Sequence, residues 1–164
     1  MFRIDGIIGW NAISRIRTEI DFKNKKALFS KPVTAGDTHS NLFFMKQPMI
    51  KAHSPDGIEL NVMLDTGAAY TSVSDNVLEK LLLEGKDGSA KSWGAGGSVD
   101  LDVKVLKDFS FYINDYLFSI DKIETMVLNN NWPVLLDVRL GVDMFRKGRI
   151  ILDYQNGYFN FEET

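Results

Sequence analysis

A mainly β domain with one principal helix is the fold class this sequence predicts, and three observations predict it. Ile58, Leu60, Val62 and Leu64 alternate with Glu59, Asn61 and Met63, the period-two pattern of a half-buried strand. Asn114-Asp115 and Asn156-Gly157 each separate two short apolar runs, the composition of tight hairpin turns. Helical spacing is clear in one stretch, about residues 77–84, where Val77, Leu78, Leu81 and Leu82 make an apolar face. Many short strands with one clear helix specify a small β-barrel or sandwich.

Bulk properties narrow the field. The 164 residues suffice for one domain with a real core, or for a domain plus a fragment. A net charge of -3 gives no electrostatic reason to expect nucleic acid or an anionic membrane as partner. No apolar run reaches membrane-spanning length, and Met1-Phe2-Arg3-Ile4-Asp5 does not read as a signal peptide. Without cysteine there is no disulfide, zinc-thiolate site or thiol nucleophile. His39 and His53 alone give a metal cluster or a histidine triad little to work with, and Asp137, Asp143 and Asp153 are scattered and read as turn and capping residues, so neither metal nor cofactor is expected. The compartment stays open; an export signal would lie upstream if the chain is a piece of a longer protein.

Taken in order, residues 1–30 form one block. Asp5-Gly6-Ile7-Ile8-Gly9-Trp10 is a buried-looking apolar run, a short helix-like piece follows, and Glu19-Ile20-Asp21-Phe22 turns through Lys23-Asn24-Lys25-Lys26 into Ala27-Leu28-Phe29. Residues 31–41, rich in Pro, Gly, Ser, Thr and Asp, have no periodicity and read as a linker. From residue 42 the chain reads as a single domain to its end. Ser54-Pro55-Asp56-Gly57 is a turn, because proline presets one dihedral and Asp-Gly accepts a positive one. Ile58–Leu64 is then the second arm of a hairpin. Ser74 is a candidate N-cap for the helix, Gly85 its stop, and Lys86-Asp87-Gly88-Ser89 a loop. Val99 to Val105, Phe109 to Ile113, Leu117 to Ile120, Met126 to Leu128, Arg149 to Tyr154 and Tyr158 to Phe161 read as strands. Leu135 to Phe145 is apolar with a short helix at its end, and Gly148 stops it.

Laying the N-terminal block over the C-terminal end reveals an ungapped internal match. Ile8 falls on Leu140, Gly9 on Gly141, Asn11 on Asp143, Ile20-Asp21-Phe22 on Leu152-Asp153-Tyr154, Asn24 on Asn156 and Phe29 on Phe161. Residues 1–30 therefore look like the closing segment of a preceding copy of the domain, or like an arm at a dimer interface.

The chemistry-bearing stretch is Asp65-Thr66-Gly67, directly after the apolar strand. A carboxylate at a strand end is costly to bury unless it is hydrogen-bonded or shares a proton. Gly67 permits a sharp turn, and Ala68 and Ala69 leave room for a second backbone or carboxylate. Asp-Thr-Gly alone recurs by chance, but here it comes first in a series of three features. A glycine-rich hairpin tip, Trp93-Gly94-Ala95-Gly96-Gly97-Ser98, follows, and Leu140-Gly141-Val142-Asp143 stands near the end before an apolar-Asp-aromatic strand. In that order the features resemble the retropepsin-like aspartic proteases, particularly the bacterial aspartyl-protease-like domains, over about residues 42–164.

The resemblance implies a small closed acid-protease β-barrel with a flap hairpin, acting on a peptide or protein substrate without a cofactor. Asp65 would be the catalytic aspartate, Thr66 would bond across a pseudo-twofold axis, and Gly67 would allow the turn. Ala68 and the flap residues Trp93, Gly94, Ala95, Gly96 and Gly97 would meet the substrate. Such chemistry needs two facing carboxylates that share a proton. This sequence has one Asp-Thr-Gly, so the second aspartate is expected from an identical subunit or from a preceding homologous lobe. Two departures stand out: Arg139 precedes Leu140-Gly141 where family members often carry an apolar residue, and Trp93 stands where a tyrosine often serves. They motivate an alternative, a catalytically silent β-barrel that binds peptides or serves assembly.

Overall fold

A computed structural model describes residues 8–33, 40–45, 47–94, 97–126 and 134–164, and within residues 92–94 it describes the backbone alone. The chain is mainly β. The described residues begin with a helical turn α1 (Trp10–Ile13), followed by β1 (Arg17–Asp21), β2 (Lys26–Ser30) and β3 (Leu42–Phe44). Next come β4 (Pro48–His53), β5 (Glu59–Leu64), β6 (Ser72–Ser74), α2 (Asn76–Lys80) and β7 (Lys86–Gly94). The remainder is β8 (Gly97–Ile113), β9 (Tyr116–Met126), β10 (Val138–Leu140), a 3-10 turn (Val142–Phe145), β11 (Gly148–Asp153) and β12 (Tyr158–Glu163). The chain divides into two compact units, one being Phe44–Met144 and the other Met1–Phe43 with Phe145–Thr164.

In the unit Phe44–Met144, β4 and β5 form the hairpin expected at Ser54–Gly57. Gly57 takes φ +81, and Ser54 closes the turn by accepting from Gly57 and donating to Ile58. Leu60, Val62 and Leu64 are buried and Glu59 is exposed, as the alternation predicts, but Ile58 is 37% exposed and Met63 is buried, so the alternation fails at both ends of the run. β10 lies between β5 and β6, parallel to the first (Leu140↔Leu64) and antiparallel to the second (Arg139↔Ser72). β6 runs parallel to β9 (Val73↔Thr125) and β9 antiparallel to β8. A further bridge at His53↔Tyr112 joins β8 to β4, so the pairings β4-β5-β10-β6-β9-β8 return to their start. The core inside this circuit includes Met49, Ile50, Leu60, Val62, Phe111, Phe118, Ile123, Val138 and Leu140.

Four local expectations are corrected here. The helix is one short turn, Asn76–Lys80, shorter than the expected 77–84, with Asp75 and not Ser74 at its N-cap. It ends early because Leu82 takes φ +53 and the Leu83 N–H reaches back to the Leu78 carbonyl. Leu82 is consequently 91% exposed, and of the expected apolar face only Val77 is buried. Residues 86–89 are not a loop; they open β7, which pairs with β8 from Lys86↔Val105 to Gly94↔Gly97. The expected strands 99–105 and 109–113 are one strand in one register: Lys107 faces Lys122 and Phe109 faces Ile120, with Asp108 between them at φ +54. Gly148 starts β11 and stops nothing.

The other unit is a four-stranded antiparallel sheet in the order β12-β11-β1-β2. The internal match has structural counterparts in it. α1 (Trp10–Ile13) falls on the 3-10 turn (Val142–Phe145), β1 on β11, and β2 on β12. β1 and β11 pair with Arg17↔Asp153, Glu19↔Ile151 and Asp21↔Arg149, so Glu19 faces the residue it matches and the register is symmetric about that pair. The turns share a motif. Asn24 donates its backbone and side-chain N–H groups to Asp21 at 2.8 Å each, and Asn156 does the same to Asp153 at 3.3 and 2.8 Å. Phe22, Phe145, Phe159 and Phe161 gather in the core, with Phe22 and Phe145 stacked at 5.7 Å.

Candidate functional site

The Asp65 loop starts where β5 ends. The backbone N–H of Asp65 donates to the Leu140 carbonyl at 3.0 Å, so the loop leaves the sheet beside the end of β10. Two bonds fold it back on itself: Ala68 N–H to the Asp65 carbonyl at 3.1 Å, and Gly67 N–H to Asp65 Oδ1 at 3.0 Å. A third, from Val142 N–H to the Ala68 carbonyl at 2.9 Å, ties its far side to the segment after β10.

Beneath these bonds lies a buried polar lock. Thr71 Oγ1 accepts from Gly141 N–H at 3.0 Å and donates to Asp143 Oδ1 at 2.8 Å. Thr71 N–H donates to Asp143 Oδ2 at 3.0 Å, so both carboxylate oxygens are used. Gly141 is required for the fit. A Cβ there would lie 2.7 Å from the carbonyl carbon of Tyr70 and 2.9 Å from the oxygen of Ala68, closer than backbone tolerates.

Of the expected site residues, Asp65, Thr66, Gly67 and Ala68 share this loop. Asp65 and Ala68 are half-buried, while Thr66 and Gly67 are exposed. Among the described residues, Gly67 provides the one hydrogen bond to the Asp65 carboxylate, leaving Oδ2 open to a further partner. Gly94 and Gly97 face each other at the end of the β7–β8 hairpin, and Gly97 takes φ +116, which glycine allows. Ala95, Gly96 and the side chain of Trp93 lie outside the described residues. No hydrogen bond joins the described end of that hairpin to the Asp65 loop.

Sequence reasoning missed two features. The first is the pairing of Thr71 with Asp143, which the sequence reading left as a scattered turn or capping residue. Its one sequence signal was the internal match, which places a polar residue two positions after the glycine in both copies, Asn11 and Asp143. The second is a cavity of about 320 Å³, lined by Tyr70, Thr71, Ser72, Arg139 and Asp143 together with residues of β7, β8 and β9. Asp137, also read as a turn residue, is a buried tie: its carboxylate accepts from Asn61 N–H at 2.8 Å and Lys80 Nζ at 2.7 Å. Among the described residues no group of three or more His, Asp or Glu side chains is placed to hold a metal ion, and no helix is long and apolar enough to cross a membrane.

No protein family model matches the chain. No curated protein matches it either. Among solved structures, a Legionella pneumophila protein of unknown function (DUF785) aligns with 59% of this chain and 82% of its own, at 17% identity and a TM-score of 0.35.

Proposed function

We propose that the chain supplies one half of an aspartic endopeptidase site, with Asp65 as one member of a carboxylate dyad. The observation that carries this reading is the construction of the Asp65 loop. A carboxylate stands at the end of a buried strand on a backbone fixed by Leu140 and Val142, with one oxygen held by Gly67 and the other without a partner among the described residues. Rigid placement of an acid beside small exposed residues suits a partner carboxylate that must approach closely. In the dyad, like charges at short range share one proton. The ionised member takes a proton from water as the water oxygen bonds to the scissile carbonyl carbon, and the protonated member donates to the carbonyl oxygen. Collapse of the resulting adduct breaks the C–N bond as the departing nitrogen takes a proton. No cofactor enters this scheme. An extended peptide would be held by main-chain hydrogen bonds under the β7–β8 hairpin.

The second aspartate comes from a second subunit or a preceding lobe. The first copy of the repeat supports that reading, because the space above Gly9 is open among the described residues, as a seat for another such loop would be. The experiment is cleavage of a proteome-derived peptide library by the full chain and by Asp65→Asn. The expected outcome is a loss of at least about 10²-fold in rate; a variant that still cuts sinks the assignment. Mixing the two proteins locates the partner. Activity falling faster than the wild-type fraction indicates a shared site between identical subunits, and a proportional fall indicates a site completed within one chain.

One observation favours a second reading, a silent peptide-binding barrel: the single carboxylate of the loop already accepts from its own Gly67. Peptide binding without cleavage from acidic to neutral pH would select it.

A further inference from the structure

Arg139 is the residue of the barrel whose position demands a ligand. It sits on β10 between Val138 and Leu140, both fully buried in the core, so strand alternation sends its side chain to the opposite face. There it lines the cavity of about 320 Å³. Its Nε is buried and has no hydrogen-bond partner among the described residues. A guanidinium cannot shed its charge, and a buried donor left unpaired is costly. The neighbouring carboxylates do not answer it. Both oxygens of Asp143 are taken by Thr71, and Glu124 lies 3.9 Å from Lys122. Lys122 and Lys91 line the same cavity, so cations outnumber carboxylates on its wall in a protein whose net charge is -3. Leu101, Val103 and Ile120 provide an apolar sleeve. Tyr70 and Thr71 extend the wall directly into the Asp65 loop.

We propose that this cavity is a specificity pocket for an acidic side chain, Asp or Glu, of the peptide that Asp65 cuts. The apolar sleeve takes the methylene stem, and the carboxylate accepts from the Arg139 Nε–H, with Lys122 or Lys91 adding charge. The proposal deepens the peptidase reading and rests on it for the identity of the ligand as a substrate, but the pocket's chemistry can be read without catalysis.

The test follows the Arg139 Nε–H signal by NMR in the ¹⁵N-labelled full chain, assigned with Arg139→Lys. The probes are the capped tripeptides acetyl-Ala-Glu-Ala-amide and acetyl-Ala-Gln-Ala-amide, and inorganic phosphate. A saturable shift with the Glu peptide is expected, with the Gln peptide and phosphate at least about tenfold weaker. Equal responses to Glu and Gln, or no response to either, overturn the proposal. A response to phosphate as strong as to Glu also overturns it, in favour of an unselective anion site. In Arg139→Met, followed through the backbone amides of Thr71 and Lys122 on the cavity wall, the Glu advantage should vanish; if it persists, another cation holds the carboxylate and the assignment to Arg139 fails. Library cleavage separates the two readings. Fragments with Asp or Glu at one fixed position, lost in Arg139→Met, support the pocket, whereas cleavage with no acidic preference overturns it and leaves Asp65 standing. A Glu-selective shift in a protein that cuts nothing supports the pocket's carboxylate chemistry and sinks the peptidase.

Discussion

Gly9 and Gly141 occupy matching positions in two copies of one segment, each followed by a helical turn, yet they do opposite amounts of work. Gly141 is pressed against the backbone of Tyr70 and Ala68, and its N–H is held by Thr71. Among the described residues, Gly9 has nothing within 4 Å of where a Cβ would stand. The residues before them differ in the same sense: Leu140 is fully buried and Ile8 is 55% exposed. The same local code is thus used in one copy and unused in the other. What differs is the Asp65 loop, which the second copy seats and the first copy lacks among the described residues. Among the described residues, then, Gly9 and Ile8 lack the backbone and core contacts that Gly141 and Leu140 make.

Substituting both glycines breaks that comparison most sharply. Gly141→Ala places a methyl group into backbone that cannot yield without moving the Asp65 loop, and a loss of about 3 kcal/mol is expected. Gly9→Ala fits its φ of -73 and its open surroundings, so its effect should lie within about 0.5 kcal/mol. Urea unfolding of both variants measures the difference. Equal costs would mean that the two positions are not the used and unused forms of one device.

The lock below Gly141 provides the next test. Thr71→Val preserves shape but leaves the Gly141 N–H without its acceptor and Asp143 Oδ1 without a donor, in a buried place. About 2 kcal/mol should be lost. Asp143→Asn, which keeps one acceptor for Thr71, should cost less. If Thr71→Val is neutral in urea unfolding, the network does not hold the loop.

How much of this was legible follows from the range of each interaction. The alternation from Glu59 to Val62, the Asn114 and Asn156 turns and the internal match are local patterns, and the structure carries all of them, although Ile58 is exposed and Met63 is buried against the pattern. The helix misled because Leu81 and Leu82 have helical spacing, while Leu82 takes a positive φ that no propensity for leucine signals. The Lys86–Ser89 stretch misled because its glycine and charges read as a turn, whereas pairing with β8 is what makes it a strand. In the site, Asp65 was visible from its motif. Thr71 and Asp143 were not seen as a pair, since they lie far apart in sequence and the antiparallel β6–β10 pairing is what brings their segments together. Arg139 was noticed as a departure, but its buried, unpartnered Nε required coordinates.

The two copies also meet directly, through Trp10 and Tyr154, whose rings pack edge to face at 4.8 Å. Burial pushes the Tyr154 hydroxyl up from its ordinary 10.0 to about 12. The neutral phenol is therefore favoured by folding. Stability from this group is fully present below pH 10 and falls as pH rises from about 10 to about 12, because the unfolded chain ionises first. The fall amounts to about 2 kcal/mol. Trp10→Ala should uncover the ring and bring its titration back toward the ordinary value, read as tyrosinate absorbance against a Tyr154→Phe reference. An unchanged titration in that variant would show that α1 does not shield the second copy.

The smallest expected effect sharpens the comparison at the turns. Asp21 and Asp153 each accept from the asparagine three residues on, but Asp21 is only half-buried and its bonds to Asn24 are exposed, whereas Asp153 is buried and also accepts from Val33 N–H at 3.2 Å. The Asn24 side chain and then its backbone N–H hold the Asp21 carboxyl below the ordinary 3.8. A depressed folded value contributes stability above the ordinary one and loses it as pH falls through the folded one. Asn24→Ala should therefore raise the Asp21 titration toward 3.8, seen in carboxyl-carbon NMR. Its stability gap from wild type should be barely measurable at neutral pH and should close under acid. Asn156→Ala strips a donor from a buried carboxylate that keeps Val33, and about 1 kcal/mol should go. If the two asparagines cost the same, burial does not distinguish the turns, and the repeat would be symmetric in energy as well as in register.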